Sequence, residues 1–321
     1  MNRSLLAQVR HACQCVAERA TQVHIVRERL PAYAASLPLK QALHPEIDPA
    51  RHYLGHGAAT VAFFLTLDAV NFGSGYFHLL RLRPGMSGYF TVASALTERF
   101  RRQGPFSAHE LRRIVDADCL SLFGQEATNP AARELMSRFA AAWNELGDHL
   151  CEHYDGSFTA LVEAAGSSAE RLVALLVAMP MFADVADYIG LRVPFYKRAQ
   201  LAAADLAIAF GGQGWGRFGD LEKLTIFADN LVPHVLRHDG VLVYERDLAA
   251  RIDAGEEVAA GSAAEVELRA VAVHAVELLK AELARQGRIV TAMGLDQLLW
   301  NRGQQPVYRA GPRHRTRTVF Y

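Results

Sequence analysis

The chain has 321 residues, is 51% hydrophobic and 21% charged, and carries 34 basic and 34 acidic side chains. That length can bury a sizeable core, and zero net charge disfavours a generic nucleic-acid coat or a disordered tail. Its four cysteines, Cys13, Cys15, Cys119 and Cys151, are too scattered for a disulfide scaffold, and Cys13-x-Cys15 has no second pair to build a zinc site. This usage fits a reducing cytoplasm.

Polar residues from Gln8 to Arg19 interrupt Leu5–Ala20, so it reads as a first helix and not as a signal peptide. A strand is expected at Gln22–Val26. The most apolar window, Gly57–Gly75, contains Asp68 and Asn71, which predicts a buried helix over Gly57–Phe72 and no membrane span. Helices follow at Thr91–Arg102 and Ala108–Asp116, then through Leu135, Phe139, Trp143, Leu146 and Leu150, and at Ala169–Val177 and Ala199–Ala209. Ser107 and Ser168 stand where they can cap two of them. The glycine-rich Phe210–Asp220 reads as a loop and Gly240–Tyr244 as a strand. Helical spacing returns from Val266 to Leu283 and at Thr291–Trp300, before a last strand at Arg317–Tyr321. Strands never alternate with helices, and no repeat or linker divides the chain. The expected fold is mainly α, a single compact helical domain over residues 1–321 with few short strands.

Three motifs favour bland readings. Gly214-Trp215-Gly216-Arg217-Phe218-Gly219 fits G-x-G-x-x-G, but a helix precedes it where dinucleotide binding requires a strand. His52 and His56 are four apart, yet flanking glycines and the lack of an adjacent glutamate favour a surface or capping role over metal binding. The terminal run of Arg309, Arg313, His314, Arg315 and Arg317 reads as a solvated strand face.

Three polar islands carry more chemistry. Asp68 and Asn71 share one face of an apolar helix, where they must either satisfy the protein's own groups or line a polar site. Pro194 suits the start of a helix presenting Tyr196, Lys197 and Gln200, and the bland alternative is a solvent-facing Lys197 paired with Asp205 at the surface. Asp229 and Asn230 precede Pro233. A turn before that proline would present the Asp229 carboxylate, with helix capping as the competing role.

These islands, in this order, resemble the queuosine salvage protein family, the queuosine 5′-phosphate N-glycosylases. The matching pieces are Leu67-Asp68-Ala69-Val70-Asn71-Phe72, Ser87-Gly88-Tyr89, Phe195-Tyr196-Lys197-Arg198-Ala199-Gln200, Phe227-Ala228-Asp229, Gly261-Ser262 with Glu265-Val266-Glu267-Leu268-Arg269, Leu295-Asp296 with Leu299-Trp300, and Phe320-Tyr321. The resemblance implies a helical fold related to helix-hairpin-helix DNA glycosylases. It also implies hydrolysis of the bond between ribose 5′-phosphate and queuine, a 7-deazaguanine base. By the same resemblance Asp229 and Lys197 carry the chemistry. The expected substrate contacts are Asp68, Asn71, Phe72, Ser87, Tyr89, Tyr196, Phe227 and Asn230. Asn230, Leu231 and His234 depart from residues that some members have there. Hydrolysis needs only water, so no cofactor or metal is expected. The expected partner is a small nucleotide, with no membrane and no stable nucleic-acid binding. Two readings compete: a glycosylase for another purine-like base, and a protein that binds the deazapurine without cleaving it.

Overall fold

The computed structural model describes residues 3–321. They are mainly helical, with two two-stranded antiparallel sheets among the described residues. None of their helices is long and apolar enough to cross a membrane. Contacts divide the chain into two units. One takes the chain up to Pro45 with Asp184–Lys197 and Asp220–Arg317; the other takes Glu46–Ala183, Arg198–Gly219 and Thr318–Tyr321. Both are therefore assembled from separated stretches of sequence.

The first unit is organised by the helix Ala263–Arg285, which packs against Leu5–Arg19, Leu30–Ser36, Leu231–His238 and Ala292–Gly303. Ser262 caps it by accepting the Glu265 amide at 3.3 Å, satisfying one of the donors that a helix start leaves open. Apolar residues cover most of its circumference, so it is a core element rather than an amphipathic surface helix. Strand β1 (Val23–Ile25) pairs with the strand Leu242–Tyr244, Val23 opposite Tyr244. Both fall inside their expected ranges. A hairpin of Val185–Tyr188 and Leu191–Pro194 was not anticipated. Its two-residue turn, Ile189-Gly190, has φ of 47° and 74°, the left-handed geometry that matches the twist of paired strands. Pro194 consequently ends a strand, where the sequence pattern had suggested a helix start.

In the second unit Ala58–Ala69 is buried at every residue from Thr60 to Ala69, against Gly88–Gln103, Pro130–His153 and Phe158–Ala164. Trp143 donates its indole N–H to the Thr66 carbonyl at 2.8 Å, so a large side chain is buried with its polar atom satisfied. Ser107 and Ser168 cap as expected, but the first of these helices stops at Leu111, and a second runs over Asp116–Leu122. The expected strand Arg317–Tyr321 does not form. This part of the chain has an isolated bridge between Glu257 and Arg315, and Tyr321 ends as a carbonyl acceptor for Gly73 at 3.0 Å. Its alternation of apolar and polar residues finds no neighbouring strand to pair with.

Gly294 lets the helix Ala292–Gly303 lie against the Ala42 carbonyl; a β-carbon there would press into that oxygen. Gly294→Ala is expected to cost about 1–3 kcal/mol through overpacking, read as a lower urea midpoint at unchanged m.

Candidate active site

The tripeptide Phe-Ala-Asp occurs twice, at 182–184 and 227–229, and its two aspartates have different tasks. Asp184 is 2% exposed. Its oxygens accept both terminal nitrogens of Arg269, Oδ1 from Nη1 at 3.0 Å and Oδ2 from Nη2 at 2.5 Å. Asp229 is half-buried at the start of Leu231–His238. Its Oδ1 accepts the amides of Leu231 at 2.8 Å and Val232 at 3.1 Å. The capping role is thus real, and it leaves Oδ2 outside the cap. The turn expected before Pro233 is instead helix, because proline in a first helical turn removes an amide that has no intrahelical partner.

Asp296 joins this carboxylate. It is 6% exposed, and its Oδ1 accepts the Phe227 amide at 2.9 Å. Burial first, and then the negative charge of Asp229, push its carboxyl well above the ordinary 3.8, while the Phe227 hydrogen bond and the charge of Lys197 pull the other way. Lys197 itself is buried, which overturns the solvent-facing alternative; Asp205, its supposed surface partner, is buried as well. The Lys197 amide donates to Asp184 Oδ2 at 3.3 Å. Tyr196, just before it, has φ of 52°, a left-handed backbone that costs a non-glycine residue on the order of 1 kcal/mol and often marks a functional site.

The terminal basic run is not a solvated strand face. His314 is 2% exposed, and burial with the charges of Arg269 and Arg313 holds its imidazole down to about 3. Burial likewise lowers Arg313, against the opposing pull of Asp229. Asn230 donates to the His314 carbonyl at 3.0 Å, and His234 Nε2 meets the Tyr308 carbonyl at 2.7 Å. These two residues tether the C-terminal segment.

Asp68, Asn71, Phe72, Ser87 and Tyr89 all belong to the other unit. Asn71 donates to Asp68 Oδ1 at 3.3 Å. Phe72 meets Phe139 edge-on at 5.0 Å, and the Ser87 hydroxyl caps a helix by accepting the Phe90 amide at 3.3 Å. Those are packing and capping tasks. The Tyr89 hydroxyl lies 2.9 Å from His52 Nε2, and His52 Nδ1 lies 2.8 Å from the Asp48 carbonyl. His52 is 4% exposed, so its expected surface role is wrong, whereas His56 is exposed and stacks on Tyr53. Burial foremost, then the charges of Asp205 and Asp68, push the Tyr89 phenol upward. Sequence reasoning gave no role to Asp184, Arg269 or Asp296. The last two lie within the motif pieces, but their burial has no sequence signature.

Fold and site together define a helical protein whose first unit holds two interacting carboxyls and a buried lysine. A family model described as queuosine salvage protein matches residues 51–321, and the chain belongs to that family. A protein of Sphaerobacter thermophilus named queuosine 5′-phosphate N-glycosylase/hydrolase is 37% identical over 311 residues, covering 95% of each chain. Proteins of the same name from Dictyostelium discoideum and Mus musculus are 35% and 31% identical, over 67% and 73% of this chain and 66% and 72% of theirs.

Asp296 binds its proton more tightly folded than unfolded, so its contribution to stability is full below about pH 3.8 and is lost as pH rises through its folded pKa. Asp296→Asn removes that loss while keeping an acceptor for Phe227. The melting temperature of the variant relative to the wild type is expected to rise as pH increases above about 3.8; parallel curves would show that this carboxyl titrates normally.

Proposed function

We propose that this protein hydrolyses the N-glycosidic bond of queuosine 5′-phosphate and releases queuine for salvage into tRNA. The observation carrying this reading is the Asp229–Asp296–Lys197 arrangement in a chain aligned almost end to end with a protein named for that reaction. As the C1′–N bond lengthens, positive charge grows on the ribose, and the carboxylate of Asp229 is the group that opposes it. Its cap on two backbone amides fixes the direction from which it does so. A 7-deaza base has no N7 to accept a proton, so its departure needs hydrogen bonds elsewhere. Asp296, favoured in its neutral form by burial and by Asp229, can donate one. Lys197 supplies the cation that opposes Asp229 in setting that proton affinity.

Tyr196 and Phe227 flank these groups in sequence and are proposed as contacts to the flat base. Contacts from Asp68, Asn71 and Tyr89 are a separate proposal that rests on the sequence motifs. In this reading residues 1–321 act as one glycosylase domain on a scaffold related to helix-hairpin-helix DNA glycosylases. The protein works in the cytoplasm on a free nucleotide, with water as co-substrate, no cofactor and no stable nucleic-acid binding. Its four unbridged thiols suit that compartment.

The test is chromatographic detection of queuine after incubation with queuosine 5′-phosphate, queuosine or guanosine monophosphate. Asparagine retains the acceptor that caps the helix, so Asp229→Asn is expected to stay folded while release falls by about 100-fold or more. Folded wild-type protein that binds queuosine 5′-phosphate but releases nothing would favour the non-catalytic binding protein.

A further inference from the structure

Arg269 has 1% of its side chain exposed and lies over the Phe195 ring at 3.9 Å. Its donors reach Ala228, Asp184 and Glu265. Nε donates to the Ala228 carbonyl at 3.0 Å, Nη1 and Nη2 hold the two oxygens of Asp184, and Nη1 also lies 3.4 Å from Glu265 Oε1. The Ala228 carbonyl belongs to the peptide that leads into Asp229. Asp184, in turn, accepts the Lys197 amide on Oδ2 and the Phe195 and Tyr196 amides on its backbone carbonyl, at 3.3, 2.9 and 3.2 Å. One guanidinium therefore ties the peptide entering Asp229 to the segment that delivers Lys197. Only a planar fork with several donors satisfies acceptors in these directions together; an ammonium on a flexible stem keeps the charge but not the geometry.

We propose that Arg269, through Asp184, is a positioning residue that sets the placement of Asp229 and Lys197 relative to each other. This rests on the glycosylase reading above. It is distinct from a purely stabilising ion pair, which would affect how much protein is folded but not how fast a folded molecule turns over.

Arg269→Lys leaves a cation opposite Asp184 and Glu265, so the buried acids are not stranded. Asp184→Asn keeps the shape of the acid and one acceptor, and serves as the second variant should the first fail to fold. The control is Arg302→Lys, in the separate network of Tyr33, Asp239 and Tyr308. Steady-state queuine release is measured per folded molecule, with folding read by near-ultraviolet circular dichroism. Because a displacement of about 1 Å can cost about 100-fold, kcat is expected to fall at least 10-fold in Arg269→Lys and Asp184→Asn, with KM within about 3-fold. Arg302→Lys is expected to change the melting temperature while kcat per folded molecule stays unchanged. Wild-type kcat in both site variants, or losses that merely follow the unfolded fraction, would overturn the proposal while leaving the glycosylase reading intact. Wild-type protein that folds and releases no queuine would overturn that reading and this inference with it.

Discussion

A guanidinium taken out of water imposes its own geometry on everything around it. Arg269 and Asp184 are 1% and 3% exposed at the side chain, and desolvating such a pair costs several kcal/mol unless donors and acceptors are almost completely matched. That requirement explains features that look unrelated. The Ala228 carbonyl must face inward, Glu265 must sit one turn before Arg269 behind its Ser262 cap, and the hairpin must bring Asp184 back beneath Phe195. Tyr196 adopts its left-handed backbone at the end of that hairpin, where its amide is held by the Asp184 carbonyl.

The other unit solves a similar problem in a similar way. Arg198 donates to the carbonyls of Asp68, Ala69 and Met181, with its guanidinium 4.9 Å from the Phe72 ring and 4.7 Å from that of Phe182. In both units an arginine lies against aromatic rings and uses its donors on backbone carbonyls at or next to an acid. Cation–π contact offsets part of the lost hydration, and the carbonyls satisfy donors that no water can reach. An acid placed beside such an anchored peptide has its backbone held in a defined position.

These constraints explain what could be read from the sequence. Leu135 to Leu150 and Val266 to Leu283 show helical periodicity because their apolar faces must reach the core, and Ser107 and Ser168 announce caps because amide donors need acceptors. Asp229 stood out as an acid among apolar residues just ahead of Pro233, with helix capping as one of its two readings. Burial of charge leaves no comparable trace. Glu265 and Arg269, four apart, look the same in sequence as an exposed helical pair; Lys197 looks like a surface lysine; and Asp296 looks like an ordinary acid within a helix. The motif resemblance marked these positions, but only the fold shows which atoms they hold. Pro194 misled because a proline can end a strand or begin a helix, and the Ile189-Gly190 turn that decides between them is only two residues long.

Residues 230, 231 and 234, which the sequence comparison with the family pattern set apart, have side-chain tasks that do not involve the Asp229 carboxylate. Asn230 and His234 face the C-terminal segment through the His314 and Tyr308 carbonyls, and Leu231 packs against Gly303. Asp229, by contrast, depends on residues 231 and 232 only for their backbone amides. Any residue other than proline supplies that donor. The orientation of Asp229 is therefore set by a helix start and by the peptide that Arg269 holds, both insensitive to the side chains that follow. Those side chains are free to adapt to the C-terminal segment they tether, while the carboxylate keeps its place.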